Sequence, residues 1–230
     1  MEDSKIPPTP ISPLARRSFI TGLGTGVTLL GSAVAIVAPA TVEAQSTTKT
    51  TFQPTRHSVD DWLDQIPGQH RSVYDTTTPD GVSSATLFAG NYFIANQSGY
   101  NLQNNDLAVV IVLRHNSTMF ACSDSIWAKY GTPISQQANN FVDPRTRQAP
   151  VVNVYKTQLE GLIRRGVHLA VCQMATRNYA GVIARATGGN TDAINEELVG
   201  NLLGNSHMVP AGIVAVNRAQ ERGYTFVQAV

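Results

Sequence analysis

Few residues in this chain carry obvious chemistry. Cys172 stands where an apolar run, Val167 to Val171, passes into the polar stretch "CQMATRN". A thiol at the end of a strand and just before a helix meets the helix's N-terminal amides, which favour the nucleophilic thiolate over the thiol. Free cysteine is also among the most buried residue types and packs as a small hydrophobe. Position alone therefore leaves Cys172 open between a reactive thiol and a packing one. The other cysteine, Cys122, lies in "MFACSD", which reads as loop or helix start.

Arg114 and His115 directly follow the longest apolar run, "DLAVVIVL". An imidazole at a strand end can act as base, ligand or hydrogen-bond donor near neutral pH. The guanidinium can clamp an anion or pair with Asp124. In "DSIWAKY" the residues Trp127, Lys129 and Tyr130 offer either pocket walls or core. A ligand pocket at the strand ends would draw on Arg114, His115, Asp124, Trp127 and Asn178.

The absences are informative too. Five histidines and two cysteines show no C-x-x-C and no H-x-x-x-H pair, so no metal centre is expected. "GLGTG" lies in the N-terminal segment and "ATGGNTD" lacks a following lysine, so no nucleotide fingerprint is present; nor is there a G-x-S-x-G elbow. No cofactor is expected. The net charge is +1, with adjacent basic pairs only at Arg16-Arg17 and Arg164-Arg165, which argues against a nucleic-acid groove. Two cysteines are too few for a disulfide scaffold. Their pairing would need Cα atoms within about 7 Å.

The N-terminus, "LARRSFITGLGTGVTLLGSAVAIVAPATVEAQ", places Arg16 and Arg17 two residues before Phe19 and follows them with a mildly apolar run rich in Gly, Ala and Thr. It resembles a twin-arginine export signal with Val42 and Ala44 at the small-residue positions, although Thr21 stands where a lysine is common. The run from Gly22 to Ala38 is short and weakly hydrophobic for a bilayer span of roughly 20 residues. It therefore reads as a signal rather than an anchor. Cleavage would yield a periplasmic or otherwise extracytoplasmic protein free of the membrane, and failed cleavage a tethered one. The expected organisation is a signal over 1–44, a Ser/Thr-rich linker over 45–56 and one domain over 57–230, large enough to bury its own core.

Within that domain the elements alternate. A short helical turn in "HSVDDWLDQIPGQ" precedes a strand at "HRSVYD" and a helix from Asp80, its expected N-cap, carrying Ala85, Phe88, Ala89 and Tyr92 on one face. The strand "DLAVVIVL" reads as buried on both sides. "SDSIWAKYG" predicts a short helix closed by Gly131, then a loop through "GTPISQQANNFVDPRTRQAP". A helix bearing Tyr155, Leu159, Leu162 and Ile163 stops at Gly166. The strand Val167 to Val171, a helix near "TRNYAGVIARATG", a strand at "HMV", a helix between Pro210 and Gly223 and a closing strand "YTFVQ" complete the series. Repeated β-α units with non-alternating strands predict an α/β fold, a mostly parallel sheet flanked by helices.

Two segments, "LEGLIRRGVHLAVCQMATRNYAG" and "MVPAGIVAVNRAQERGYTFVQ", resemble the DsrE/DsrF family and its YchN-like fold, a three-layer sandwich. The likeness spans roughly residues 71–228, with "DLAVVIVLRHN" as the middle strand. By resemblance, Cys172 would inherit the position of the cysteine on which some members pass persulfide sulfur, a sulfur-carrier protein would be its partner, and the chain would form trimers or hexamers. Many members have no established activity. The alternative is a non-catalytic module that binds a small ligand or serves a structural role, since a fold does not by itself confer a function.

Overall fold

A computed structural model describes residues 52–230. The export signal and the start of the linker lie outside the described residues. Regular structure begins with a 3-10 turn, Ser58–Asp60, and α1, Trp62–Gln65. Then follow β1 (His70–Thr76), α2 (Pro79–Tyr100), β2 (Leu107–Leu113), α3 (Asp124–Gln137), α4 (Lys156–Ile163) and β3 (His168–Cys172). The chain closes with α5 (Gln173–Thr187), α6 (Thr191–Gly200), β4 (Ser206–Val209), α7 (Gly212–Gln220) and β5 (Thr225–Ala229). No described helix is long and apolar enough to cross a membrane.

All five strands are parallel, in the order β4-β3-β2-β1-β5. The α/β class expected from the sequence is thus the observed one. Every residue of β2 is buried, and its side chains alternate between two cores. Leu107, Val109, Ile111 and Leu113 pack with residues of α2 to α6, whereas Ala108, Val110 and Val112 pack with Leu63 and Ile66 of the α1 segment and Ala215, Val216 and Ala219 of α7. The result is a three-layer sandwich. Its asymmetry follows from handedness. Stepping from β1 to β4 in one direction, right-handed crossovers place α2 to α6 on one face; the return from β4 to β5 reverses direction and places α7 on the other.

The local sequence explains most of the elements. Thr78, rather than Asp80, caps α2 by accepting from Gly81 N–H at 3.0 Å, with Pro79 in the first turn. Phe88 is 41% exposed; Val82, Ala85, Ala89 and Phe93 form the buried stripe instead. α3 does not stop at Gly131 but continues to Gln137 through a break at Tyr130 (φ −128°, ψ 16°). The break lets Pro133 occupy a first turn, where its missing N–H costs nothing. Gly131 is required for close approach: an added Cβ would collide with the Pro150 carbonyl oxygen. α6 has no counterpart in the sequence-based expectation. Asn190 caps it, accepting from Ala193 N–H at 3.0 Å, and Ile194 and Leu198 anchor it to the larger core.

On the thinner face α1 is fastened by polar contacts. The Tyr224 hydroxyl donates to Leu63 O at 2.7 Å, and the fully buried side chain of Arg222 donates to Asp64 at 3.1 Å. Trp62 stacks on His207 with centroids 4.0 Å apart, and the His207 and His168 rings share a hydrogen bond of 2.8 Å. Burial holds both imidazoles below their ordinary range, His207 at about 4, and the neighbouring ring depresses His207 further.

Two predictions follow from the packing. Gly131→Ala should destabilise the domain by about 2 kcal/mol or more, whereas Gly90→Ala, in open space on α2, should stabilise it by roughly 0.5–1 kcal/mol; chemical denaturation of the two variants checks both. The folded state disfavours protonating His168 and His207, so their contribution is intact above an unfolded value of about 6.5 and is lost as pH falls towards about 4. Partial exposure limits the effect to roughly 1–2 kcal/mol. The thermal midpoint should drop across that window, and His207→Gln should flatten the slope.

Candidate functional site

In parallel α/β sheets the crevice outside the carboxyl ends of the strands is the natural place for a ligand. Here it holds a cavity of about 310 Å³. Four segments build it. Arg114, His115 and Asn116 leave the end of β2; Cys172 ends β3; Ala175, Asn178 and Tyr179 belong to the first turns of α5; Ala211, Gly212 and Ile213 open α7. Met174 and Gln137 complete the wall.

Cys172 is the N-cap of α5. Its Sγ accepts the Ala175 N–H at 3.5 Å, and its carbonyl accepts the Thr176 hydroxyl at 3.0 Å. It is 7% exposed and opens towards the cavity. An N-cap sulfur receives a backbone amide and the positive end of the helix dipole, both of which favour negative charge on it. Cys122 differs in kind. It is 1% exposed within the larger core, and burial pushes its thiol up to about 12. Both are free thiols.

Arg114 makes a bidentate pair with Asp75 of β1, with Nε to Oδ1 and Nη2 to Oδ2 both at 2.8 Å. The hydrogen bonds to Asp75 raise the guanidinium above its ordinary range. The partnership with Asp124 anticipated from the sequence is not made. Arg114 and Asp75 project from adjacent strands to the same face, whereas Asp124 begins α3 and accepts from Asn153 N–H at 2.9 Å and Lys156 Nζ at 2.8 Å. At the end of β2 the backbone is fixed by Ser117, whose hydroxyl accepts the Arg114 N–H at 3.0 Å and has the Thr76 and Arg114 carbonyls within reach of its one proton. His115 takes a left-handed φ of 55° at the turn out of β2, a conformation uncommon outside glycine, and its side chain is exposed.

Of the residues singled out from sequence, Cys172, Arg114, His115 and Asn178 meet at this cavity, and Asp124 and Trp127 do not line it. Trp127 is fully buried, its Nε1 donating to Met119 O at 3.1 Å, and it packs on Phe120 with centroids 5.0 Å apart. Trp127 therefore belongs to the larger core and not to the ligand pocket expected from the sequence. Sequence reasoning passed over Asn116 and the α7 N-terminus. A signal for the latter existed: "PAGI" directly follows the strand "HMV", and the strand-end rule applies to β4 as well as to β2 and β3. Gly212 seats that N-terminus on Arg114, since a Cβ there would lie 2.5 Å from Arg114 Cβ and 2.8 Å from its Cδ.

The cavity holds a thiol, an arginine already paired with a carboxylate and an exposed imidazole within one small volume. It shows no cluster of three metal-ligating side chains, nor does any other site among the described residues.

No family model matches the chain, and no curated protein matches it. Among solved structures it is similar to a protein of unknown function, MTH1491, from Methanobacterium thermoautotrophicum. The two are 16% identical, with a TM-score of 0.38, and the alignment covers 70% of this chain and 99% of that one. The fold class is given by the chain's own five-stranded parallel sheet.

Proposed function

We propose that this domain accepts and passes on sulfane sulfur through Cys172, as an exported protein of the DsrE/DsrF type that associates with copies of itself and exchanges sulfur with a carrier protein. The observation that carries the reading is the placement of Cys172: an N-cap sulfur, held by the Ala175 amide at 3.5 Å and opening into a cavity shared with Arg114 and His115. Sulfur transfer between thiols needs a thiolate, access and a neighbourhood that tolerates negative charge on both the incoming and the departing sulfur. Cys172 at the cavity wall meets the second condition. The Ala175 amide on the sulfur and the Arg114 side chain in the same cavity are the polar groups that bear on the charge the transfer creates.

In the step itself, the Cys172 thiolate attacks the terminal sulfur of a donor persulfide. The new bond to Sγ forms as the donor's S–S bond breaks, the donor thiolate leaves with the electron pair and takes a proton from solvent, and Cys172 becomes the persulfide. No net oxidation occurs. His115, exposed and lining the cavity, is the side chain through which solvent would deliver that proton.

The protein is expected to gain the mass of one sulfur atom when incubated with a small persulfide donor, to lose that capacity in Cys172→Ser and to retain it in Cys122→Ser. In the native state Cys172 should alkylate at neutral pH at least roughly a hundredfold faster than Cys122, whose thiol burial holds protonated. Intact-mass spectrometry reads both. Labelling of Cys172 only after denaturation would sink the sulfur reading and leave a module that binds a ligand without using its thiol.

A further inference from the structure

We propose that the cavity beside Cys172 contains a carboxylate subsite, so that the donor read by this site is a small thiol bearing a carboxylate, presented as its persulfide. The proposal deepens the sulfur reading and rests on it for the role of the thiol.

The first observation is Asn116. It is 5% exposed, lines the cavity, and its side-chain amide makes no hydrogen bond to any described residue. Its amide atoms are not among the fully enclosed ones left without a partner, so they stay open to the cavity that Asn116 lines and are free to bond a ligand there. The second, independent observation is the start of α7. Its N-cap, Ala211, offers no side-chain cap, and the helical hydrogen bonds begin only with Val214 and Ala215, which donate to Ala211 O. The amides of Gly212 and Ile213 are therefore left unpartnered in the wall of the same cavity. Asn116 and the first residues of α7 thus bring uncommitted donors to one and the same cavity.

Charge and size select the class of ligand. Arg114 spends its Nε and Nη2 on Asp75. The pair is close to neutral, and Nη1 is the nitrogen left over. No lysine lines the cavity. Neutral amides and one spare guanidinium nitrogen suit a singly charged, planar carboxylate; a phosphate dianion calls for more positive charge. At about 310 Å³ the cavity lies at the low end of small-molecule sites, too small for a nucleotide. The exposed Met174 and Ile213 at its rim would cover the methylene groups between carboxylate and sulfur.

The test compares two reagents that differ in the group concerned. Iodoacetate carries a carboxylate and iodoacetamide does not, while both deliver the same carbon to a thiolate. In the full chain with Cys122→Ser, the rate ratio of iodoacetate to iodoacetamide at Cys172 is expected to exceed the ratio in the denatured chain by roughly five- to tenfold. Asn116→Asp should bring it to or below the denatured value. In parallel, Cys172→Ser protein titrated with 3-mercaptopropionate should show amide chemical-shift changes at Gly212 and Ile213 that 2-mercaptoethanol does not cause. A rate ratio equal to the denatured one, or shifts identical for the two thiols, overturns the carboxylate subsite. The mass assay judges sulfur acceptance separately: a raised ratio with no sulfur gained upholds the subsite and removes the sulfur reading.

Discussion

A parallel strand with no exposed residue must be covered on both sides, and β2, Leu107–Leu113, is such a strand. Much of the architecture follows from meeting that demand. Five helices satisfy one face as the chain steps from β1 to β4. The other face is left to whatever the chain supplies on its way back to β5 and to the short segment before β1. Covering Ala108, Val110 and Val112 therefore brings α7 across the sheet, and brings its N-terminus to the carboxyl ends of β2 and β3. The cavity is formed at the point where this return begins.

The same geometry explains why a charged pair sits under α7. Asp75 and Arg114 project from the ends of adjacent strands onto the thinner face, Asp75 at 6% and Arg114 at 27% side-chain exposure. An acid so nearly withdrawn from water requires a partner with matched geometry, and the bidentate contact at 2.8 Å supplies it. The pair in turn dictates a glycine at 212, because the Arg114 stem fills the space a Cβ would need. Charge placed at a strand end thus sets how closely a helix can approach and where its free amides point.

The two cysteines show how little residue type says without position. Cys122 packs in the larger core, where desolvation keeps it a neutral thiol. Cys172 faces the other side of the sheet at the start of α5, where a backbone amide contacts its sulfur. Cys172 closes a strand and Cys122 follows a 3-10 turn, and both are nearly withdrawn from solvent. Only one of them adjoins a cavity.

Much of the fold was legible because its signals are local. Continuous apolar runs mark buried parallel strands, and alternation of those runs with helical stripes sets the α/β class; Gly166, with φ of 98°, ends the α4 region as its type suggests. Local signals also misled. Gly131 reads as a helix stop, yet it is a point of contact with Pro150, a residue distant in sequence. Of the site, the sequence alone marked Cys172, Arg114, His115 and Asn178, because residues that follow strands collect at one edge of a parallel sheet. It could not say that Arg114 would choose Asp75 over Asp124, that Trp127 would turn into the core, or that Asn116 and the start of α7 would line the thiol's cavity. Those depend on strand order and on which face each helix covers, and they were decided when the return of α7 closed the second layer over the sheet.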